Sequence, residues 1–332
     1  MVANRAGAVV IDEEASLATR AAWLYFAAGF TQGEIATRLN VPSAKAHRLI
    51  SRASREGLIR VFVDGPIAEC FHLEEAIKSQ FGIDYCHVSP DLGETGLPLK
   101  TLGLAGATFL RAHLENTKDA VIGIGHGRTL AAAVANLPQS PHAGAKFVSL
   151  LGGLTRKFSA SPFDVIHRLA ERTGAEAYVV PVPLFANSAA DRAVLISQIG
   201  VGEVFELARS ATLMFVGIGE ARAHGSLVAA GMIRPDDVAE LEARGVEGEV
   251  LGHFIAADGR FVETDLTARS ITLSASDLGG QNIVAIAGGP TKTAAIRAVL
   301  NSSFLKGLIT DEATARRLIG STPGNAPRNK NG

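Results

Sequence analysis

Cysteine is nearly absent: Cys70 and Cys86 are the two thiols in 332 residues. Neither sits in a metal-ligand spacing, so the sequence predicts reduced thiols of a cytoplasmic protein, no disulfide scaffold and no metal site. Long apolar runs are missing too. No stretch reaches the 18 or more residues of a membrane span. The short run Gly7–Ile11 is followed by Asp12-Glu13-Glu14 and predicts no secretory signal. Charge of one sign is not in excess, since the formal net charge is −1. The whole molecule is therefore no general polyanion binder. Aromatic residues make up only 6%. No internal repeat is visible. Gly123-x-Gly125-x-Gly127 has neither the dinucleotide fingerprint nor the Gly-Lys-Ser/Thr spacing of a P-loop, so no cofactor is expected.

What remains is an apolar chain, 47% hydrophobic, of a length that suggests two domains. We divide it into a tail (1–14), a DNA-binding domain (15–65), an effector domain (66–319) and a disordered tail (320–332).

The densest signal lies between Thr31 and Ile50. Thr31 with Glu34 three residues on forms a capping box. Ile35, Ala36 and Leu39 give a short buried stripe. Asn40 tolerates a left-handed turn, and Pro42 suits the start of a second helix. That plan is a helix-turn-helix. At about 100° per residue, Ala46, Leu49, Ile50 and Ala53 share one face of the second helix. Lys45, Arg48, Arg52 and Arg55 share another. Ser43, His47, Ser51 and Ser54 form a third strip. Such a basic stripe can neutralise phosphates, while Arg, Ser and His near a helix start can reach base edges. A solvated surface helix would show lysine and arginine outside as well. Charge distribution favours the first reading: residues 15–63 carry seven Lys/Arg against two acids. Thr31, Gln32, Ser43, Lys45, His47, Arg48, Ser51 and Arg52 are the DNA-contact candidates. Leu58–Gly65 alternates like a strand and is expected to form a wing. Upstream, a helix over Ala15–Ala28 is expected to bury Leu17, Ala21, Leu24, Tyr25 and Ala28, with Trp23 in the core or at a partner interface.

Beyond Pro66, short β-rich runs alternate with helical segments, which indicates an α/β domain with a parallel sheet flanked by helices. Strands are expected at 85–89, 121–125, 147–151, 177–182, 212–217, 250–256, 283–287 and 304–309. Four strand ends run into glycine-rich turns. They contain Gly125-His126-Gly127-Arg128-Thr129, Gly152-Gly153-Leu154-Thr155-Arg156, Gly217-Ile218-Gly219 and Gly288-Gly289-Pro290-Thr291-Lys292. In open α/β sheets ligands bind at the carboxyl ends of strands. Glycines admit backbone N–H groups to an anion, and Arg128, Arg156 and Lys292 add charge. Glycine turns also occur as plain structure. Four in one domain, three with a cation, point to a polar small-molecule pocket. Glu249 and His253 are read as alternating onto one side of a strand. Asp258 either faces the ligand or builds the Asp258-Gly259 turn, and His253 either faces it or is a satisfied core histidine. Asn187 follows a strand and could bond a hydroxyl or simply turn the chain.

These pieces together resemble the SorC family of sugar-responsive transcription regulators. The carrying residues are Ala22–Phe26, Gly29–Ala36, Gly125–Thr129, Leu151–Gly153, Gly217–Gly219, Gly248–Phe254, Ala287–Gly289 with Lys292, and Leu308–Glu312. Within the family the chain looks most like regulators of polyol catabolism of the erythritol type. The resemblance implies a winged helix joined to a domain with the fold of ribose-5-phosphate isomerase and glucosamine-phosphate deaminase. It implies a repressor of carbohydrate or polyol catabolism, dimeric or tetrameric, that binds operator DNA and a sugar, polyol or sugar-phosphate effector. It places the effector against Gly125–Thr129, Gly152–Arg156, Glu249–Asp258 and Lys292; family members often carry an aromatic residue where His126 stands. The rival is an isomerase- or deaminase-like enzyme, for which Glu249, His253 and Asp258 would have to supply acid and base. No spacing compels that, so no catalytic residue is assigned.

Overall fold

The structure is a computed structural model that describes residues 13–56, 58–59, 68–139, 141–153, 165–222 and 225–320. The chain divides into two compact units, Met1–Asp64 and Gly65–Gly332.

The first unit holds α1 (Glu13–Ala22), a π-helical turn at Trp23–Ala27, α2 (Gln32–Arg38) and α3 (Ser43–Arg55). The capping box forms: Glu34 N–H donates to Thr31 Oγ1, and Thr31 N–H donates to Glu34 Oε2 at 2.8 Å. Hydrogen bonds from the Thr31 backbone and hydroxyl hold the Glu34 carboxyl below its usual pKa. Asn40 takes the left-handed conformation, φ 51°. The expected inward face of α3 is the buried one, with Ala46, Leu49, Ile50 and Ala53 packed on Ala18, Ala21, Ala22, Ile35 and Ala36. The first helix departs from expectation. Ala21 is buried and Leu17 and Leu24 half-buried, but Trp23 is 63% exposed and Tyr25 and Ala28 are exposed. The π-helical turn is the reason. It inserts more residues per turn than an α-helix, so the apolar stripe rotates off the core after Ala22. In the expected wing, Leu58 and Ile59 lie in no strand, and 60–65 fall outside the described residues. So do 1–12 and 321–332 of the two tails.

The second unit begins with α4 (Ala68–Phe81), β1 (Tyr85–Ser89), α5 (Leu99–Asn116), β2 (Val121–Ile124), α6 (Arg128–Asn136) and β3 (Lys146–Ser149). There follow α7 (Ile166–Thr173), β4 (Glu176–Tyr178), α8 (Ala189–Ile196), α9 (Ile199–Arg209), β5 (Leu213–Gly217) and β6 (Gly219–Glu220). Next come α10 (Ser226–Ala229), α11 (Pro235–Ala243), β7 (Val246–Val250), β8 (His253–Ala256), α12 (Asp265–Ala268) and α13 (Ala275–Leu278). The chain closes with β9 (Ile283–Ile286), a 3-10 turn at Pro290–Lys292, α14 (Thr293–Asn301), β10 (Gly307–Asp311) and α15 (Glu312–Gly320).

Seven strands form a parallel sheet in the order β1-β10-β9-β5-β2-β3-β4. Side chains alternate between two cores, as strands buried on both faces require. Ile122, Ile124, Phe147, Phe215, Val284 and Ile286 meet residues of α5, α6 and α7. Val148, Met214, Val216, Ile283, Ala285 and Leu308 meet residues of α4, α9, α14 and α15. At the β1 rim a side chain takes one amide: Val88 N–H donates to Glu74 Oε1 of α4 at 2.8 Å. A small antiparallel sheet, β6-β7-β8, stands beside the large one.

Three strands differ from expectation. The run 177–182 is strand only over Glu176–Tyr178, ending ahead of Pro181, which has no N–H for a ladder. The run 250–256 is not one strand. Leu251 and Gly252 take left-handed φ of 52° and 78° and fold it into the β7–β8 hairpin. The last strand starts at Gly307 rather than Phe304, because left-handed Ser303 (φ 56°) follows α14 and delays entry to the sheet.

The strand order shows where a ligand site belongs. From β2 the chain proceeds through β3 to β4 on one side. From β5 it proceeds through β9 to β10 on the other. The neighbours β2 and β5 therefore flank the switch point, where the crevice of an open α/β sheet opens.

Candidate functional site

The turn after β2 is fixed by backbone bonds. Gly125 N–H donates to Phe215 O at 3.0 Å, and buried Thr129 Oγ1 donates to Ile286 O at 3.1 Å. Gly127 caps α6 with φ 136°, a conformation that L side chains rarely adopt. No side chain caps α6, so its first N–H groups meet the crevice with the positive end of the helix dipole.

A cleft opens there. It is lined by His126, Gly127, Arg128 and Thr129 after β2, Gly217, Ile218 and Gly219 after β5, Glu249 of β7, and Lys292 before α14. Leu151, Leu227, Ala230 and Leu251 complete its apolar wall. Lys292 Nζ donates to Ile218 O at 2.6 Å. Burial pulls the Lys292 pKa down, Arg128 adds to the fall, and Glu220 and Glu249 oppose it. Glu249 Oε1 accepts from Gly252 N–H at 2.7 Å. Burial pushes the Glu249 carboxyl up, against the pull of Gly252 N–H and of Lys292. A desolvated acid and a desolvated base thus share one cleft and steady each other's charge. At Gly219 a Cβ would lie 2.4 Å from Glu249 Oε2, so a side chain there would push that carboxylate aside.

A second cleft meets the first at His126. Gly125, Ser149, Gly153, His167 and Asn187 line it, with Val179–Pro183 as an apolar floor. Of the expected effector residues, the structure thus gathers His126, Gly127, Arg128, Thr129, Gly219, Glu249 and Lys292 in one cleft. Gly125, Gly153 and Asn187 line the adjoining one.

Others serve elsewhere. Gly152 is pressed against the Pro183 backbone and donates to Ile271 O. Gly288 and Gly289 line neither cleft; they form the bend ahead of Lys292. His253 is corrected: in the hairpin register Val250 pairs with His253 and Glu249 with Phe254, so Glu249 and His253 face opposite ways. His253 Nε2–H donates to Leu273 O at 2.9 Å, and its ring meets Phe261 edge-on. Asp258 is exposed and accepts from Arg260 N–H, which builds the turn. Leu154, Thr155 and Arg156 lie outside the described residues.

Asp311 escaped sequence reasoning. Buried at the end of β10, it accepts from Gly289 N–H (3.1 Å), Thr314 N–H (2.9 Å) and Thr314 Oγ1 (2.6 Å), and so fixes the bend that delivers Lys292. An acid three residues before a threonine at a strand-to-helix junction is the signal that could have found it. His167 of the second cleft carries no such signal.

On the first unit, Ser43, His47 and Arg48 of α3 are exposed, while Lys45 and Ser51 are half-buried. Gln32 Nε2 lies 3.3 Å from His47 Nδ1. Thr31 is taken up by the capping box. Arg52 differs from a free phosphate contact, since it pairs with Glu14 (3.1 Å) and Glu56 (2.7 Å).

Among the described residues no helix is long and apolar enough to cross a membrane. Residues 65–320 match the sugar-binding domain family model. The chain is 53% identical to the erythritol catabolism regulatory protein EryD of Brucella abortus over 94% of this chain and 99% of that protein. It is 30% identical to the transcriptional regulator LsrR of Klebsiella pneumoniae over 95% of this chain and 96% of that one. Its fold matches the crystal structure of the full-length sorbitol operon regulator SorC from Klebsiella pneumoniae. That match has a TM-score of 0.73 at 24% identity and covers 92% of this chain and 98% of that one.

Proposed function

Because this chain belongs to the SorC family of sugar-binding transcriptional regulators, we propose that it is a cytoplasmic, oligomeric repressor of polyol or sugar catabolism. Residues 15–65 carry the operator-binding surface, and residues 66–319 bind a polyol, sugar or sugar phosphate. The observation that carries this reading is the cleft at the β2–β5 switch point. There Arg128, Glu249 and Lys292 converge in a chain whose α3 sorts apolar, basic and small polar residues onto separate faces.

The chemistry suits a hydroxylated ligand. The Glu249 carboxylate accepts hydroxyl hydrogens, Lys292 and Arg128 donate to ligand oxygens, and the open N-terminus of α6 favours negative charge. The relative named for erythritol catabolism points the same way for this chain. Catalysis has less support: of the three groups an isomerase would enlist, His253 is bonded to Leu273 O and Asp258 stands in an exposed turn.

Regulation follows from geometry. Half-sites on DNA repeat about every 34–36 Å, so two heads of an oligomer must keep a matched separation. An effector shifts that match only by its differential affinity for the two states, typically about 1–3 kcal/mol.

Fluorescence anisotropy of labelled DNA from the protein's own upstream region, titrated with and without erythritol and sugar phosphates, tests the reading. The expected result is tight binding that one of these compounds weakens. Binding no tighter than to random DNA would overturn it.

A further inference from the structure

With α3 taken, as proposed above, to be the helix that enters the major groove, the Gln32–His47 contact bears on how a base is read. Gln32 opens α2 and His47 stands on the exposed strip of α3. The amide nitrogen of Gln32 lies 3.3 Å from His47 Nδ1. An amide nitrogen only donates, so Nδ1 accepts, and a neutral imidazole that accepts at Nδ1 carries its proton on Nε2. That second nitrogen has no hydrogen-bond partner among the described residues.

We infer that Gln32 fixes the tautomer of His47, which then offers an Nε2–H donor to an acceptor on a base edge. His47 is the specificity-determining contact and Gln32 its positioning residue. In the major groove guanine presents two acceptors, N7 and O6, adenine N7 and thymine O4, whereas the cytosine edge presents an amino donor. The arrangement selects guanine first and rejects cytosine at the position His47 reaches. Arg48 on the neighbouring strip serves the phosphates and carries no such preference.

The test compares full-length wild type with His47→Ala, Gln32→Ala and Arg48→Ala. Each selects sites from a randomised duplex library, and anisotropy then measures every single-base variant of the wild-type site. His47 and Arg48 are exposed and Gln32 is half-buried, and thermal melts check that each variant folds. His47→Ala should lose discrimination at one base pair in each half-site, by about 5- to 100-fold, with other positions unchanged. Gln32→Ala should lose about three- to tenfold at that same base pair although it touches no base. Arg48→Ala should weaken all sequences alike. If His47→Ala keeps the wild-type preference at every position, the inference falls. A Gln32→Ala profile equal to wild type removes the tautomer-fixing role. Unaltered affinity of Arg48→Ala on every sequence would instead overturn the recognition-helix reading beneath it.

Discussion

The two charged regions of this protein differ in what surrounds each charge. On α3, Arg48 stands in water and Arg52 pairs at once with the carboxylates of Glu14 and Glu56. In the β2–β5 cleft, Lys292 and Glu249 are half-buried, and each has one short bond to a backbone group. Exposed charges are cheap to hold and are screened by salt; dehydrated ones are costly and screened far less. The contrast teaches that one chain can keep a surface tuned for reversible contact with a polyanion and a cavity tuned for a single small molecule. Each can be perturbed without the other.

Salt should separate the two most widely. With about four phosphates neutralised by Lys45 and Arg48 of two heads, raising salt fourfold should weaken operator binding roughly 10²-fold. Effector affinity, read by calorimetry in the same buffers, should move less than about twofold. Equal sensitivity would erase the comparison. Lys292→Met comes next. Removing a half-buried, hydrogen-bonded charge should raise the effector Kd by about 30-fold or more and leave operator affinity within about twofold. Gly219→Ala is smaller in chemistry but aimed at the same carboxylate. Its Cβ must displace Glu249, and the effector Kd should rise by about tenfold at unchanged operator affinity.

The smallest effect is on stability against pH. Burial raises the Glu249 pKa from 4.5, so above pH 4.5 the folded state holds a proton that the unfolded state has released. Stability from this group therefore falls as pH rises through that window. Depressed carboxylates such as Glu34, Asp277 and Glu312 act at lower pH. His87, His113 and His253, lowered by burial, push the other way below 6.5. The signature is thus the difference between melts of wild type and Glu249→Gln, which should grow in the variant's favour as pH rises from 4.5. A constant difference would mean that Glu249 is not the titrating group.

Much of the fold and of the cleft was legible in the chain because it is local. The capping box at Thr31 and the four inward residues of α3 follow from spacing alone, and the glycine turns follow from strand, turn and helix read in order. The misses share a cause. Tyr25 and Ala28 belong to the core on a constant helical period, and the π-helical turn at Trp23–Ala27 breaks it. Glu249 and His253 were placed by strand alternation, and the reversal at Leu251–Gly252 breaks that too. Asp311 acts on Gly289, 22 residues upstream, and the meeting of Glu249 and Lys292 in one cleft spans different elements. No periodicity reports such meetings.

The Glu74 bond to the backbone of β1 has a consequence for the life of the chain before it ever meets DNA. An edge strand with free amides is a template for another strand, and recruitment of that kind has no natural end. By occupying the Val88 amide, a carboxylate from α4 makes the rim a poor template. Strand addition along that rim is disfavoured where the amide is taken. A nascent or crowded chain is thereby less able to recruit a second copy along β1.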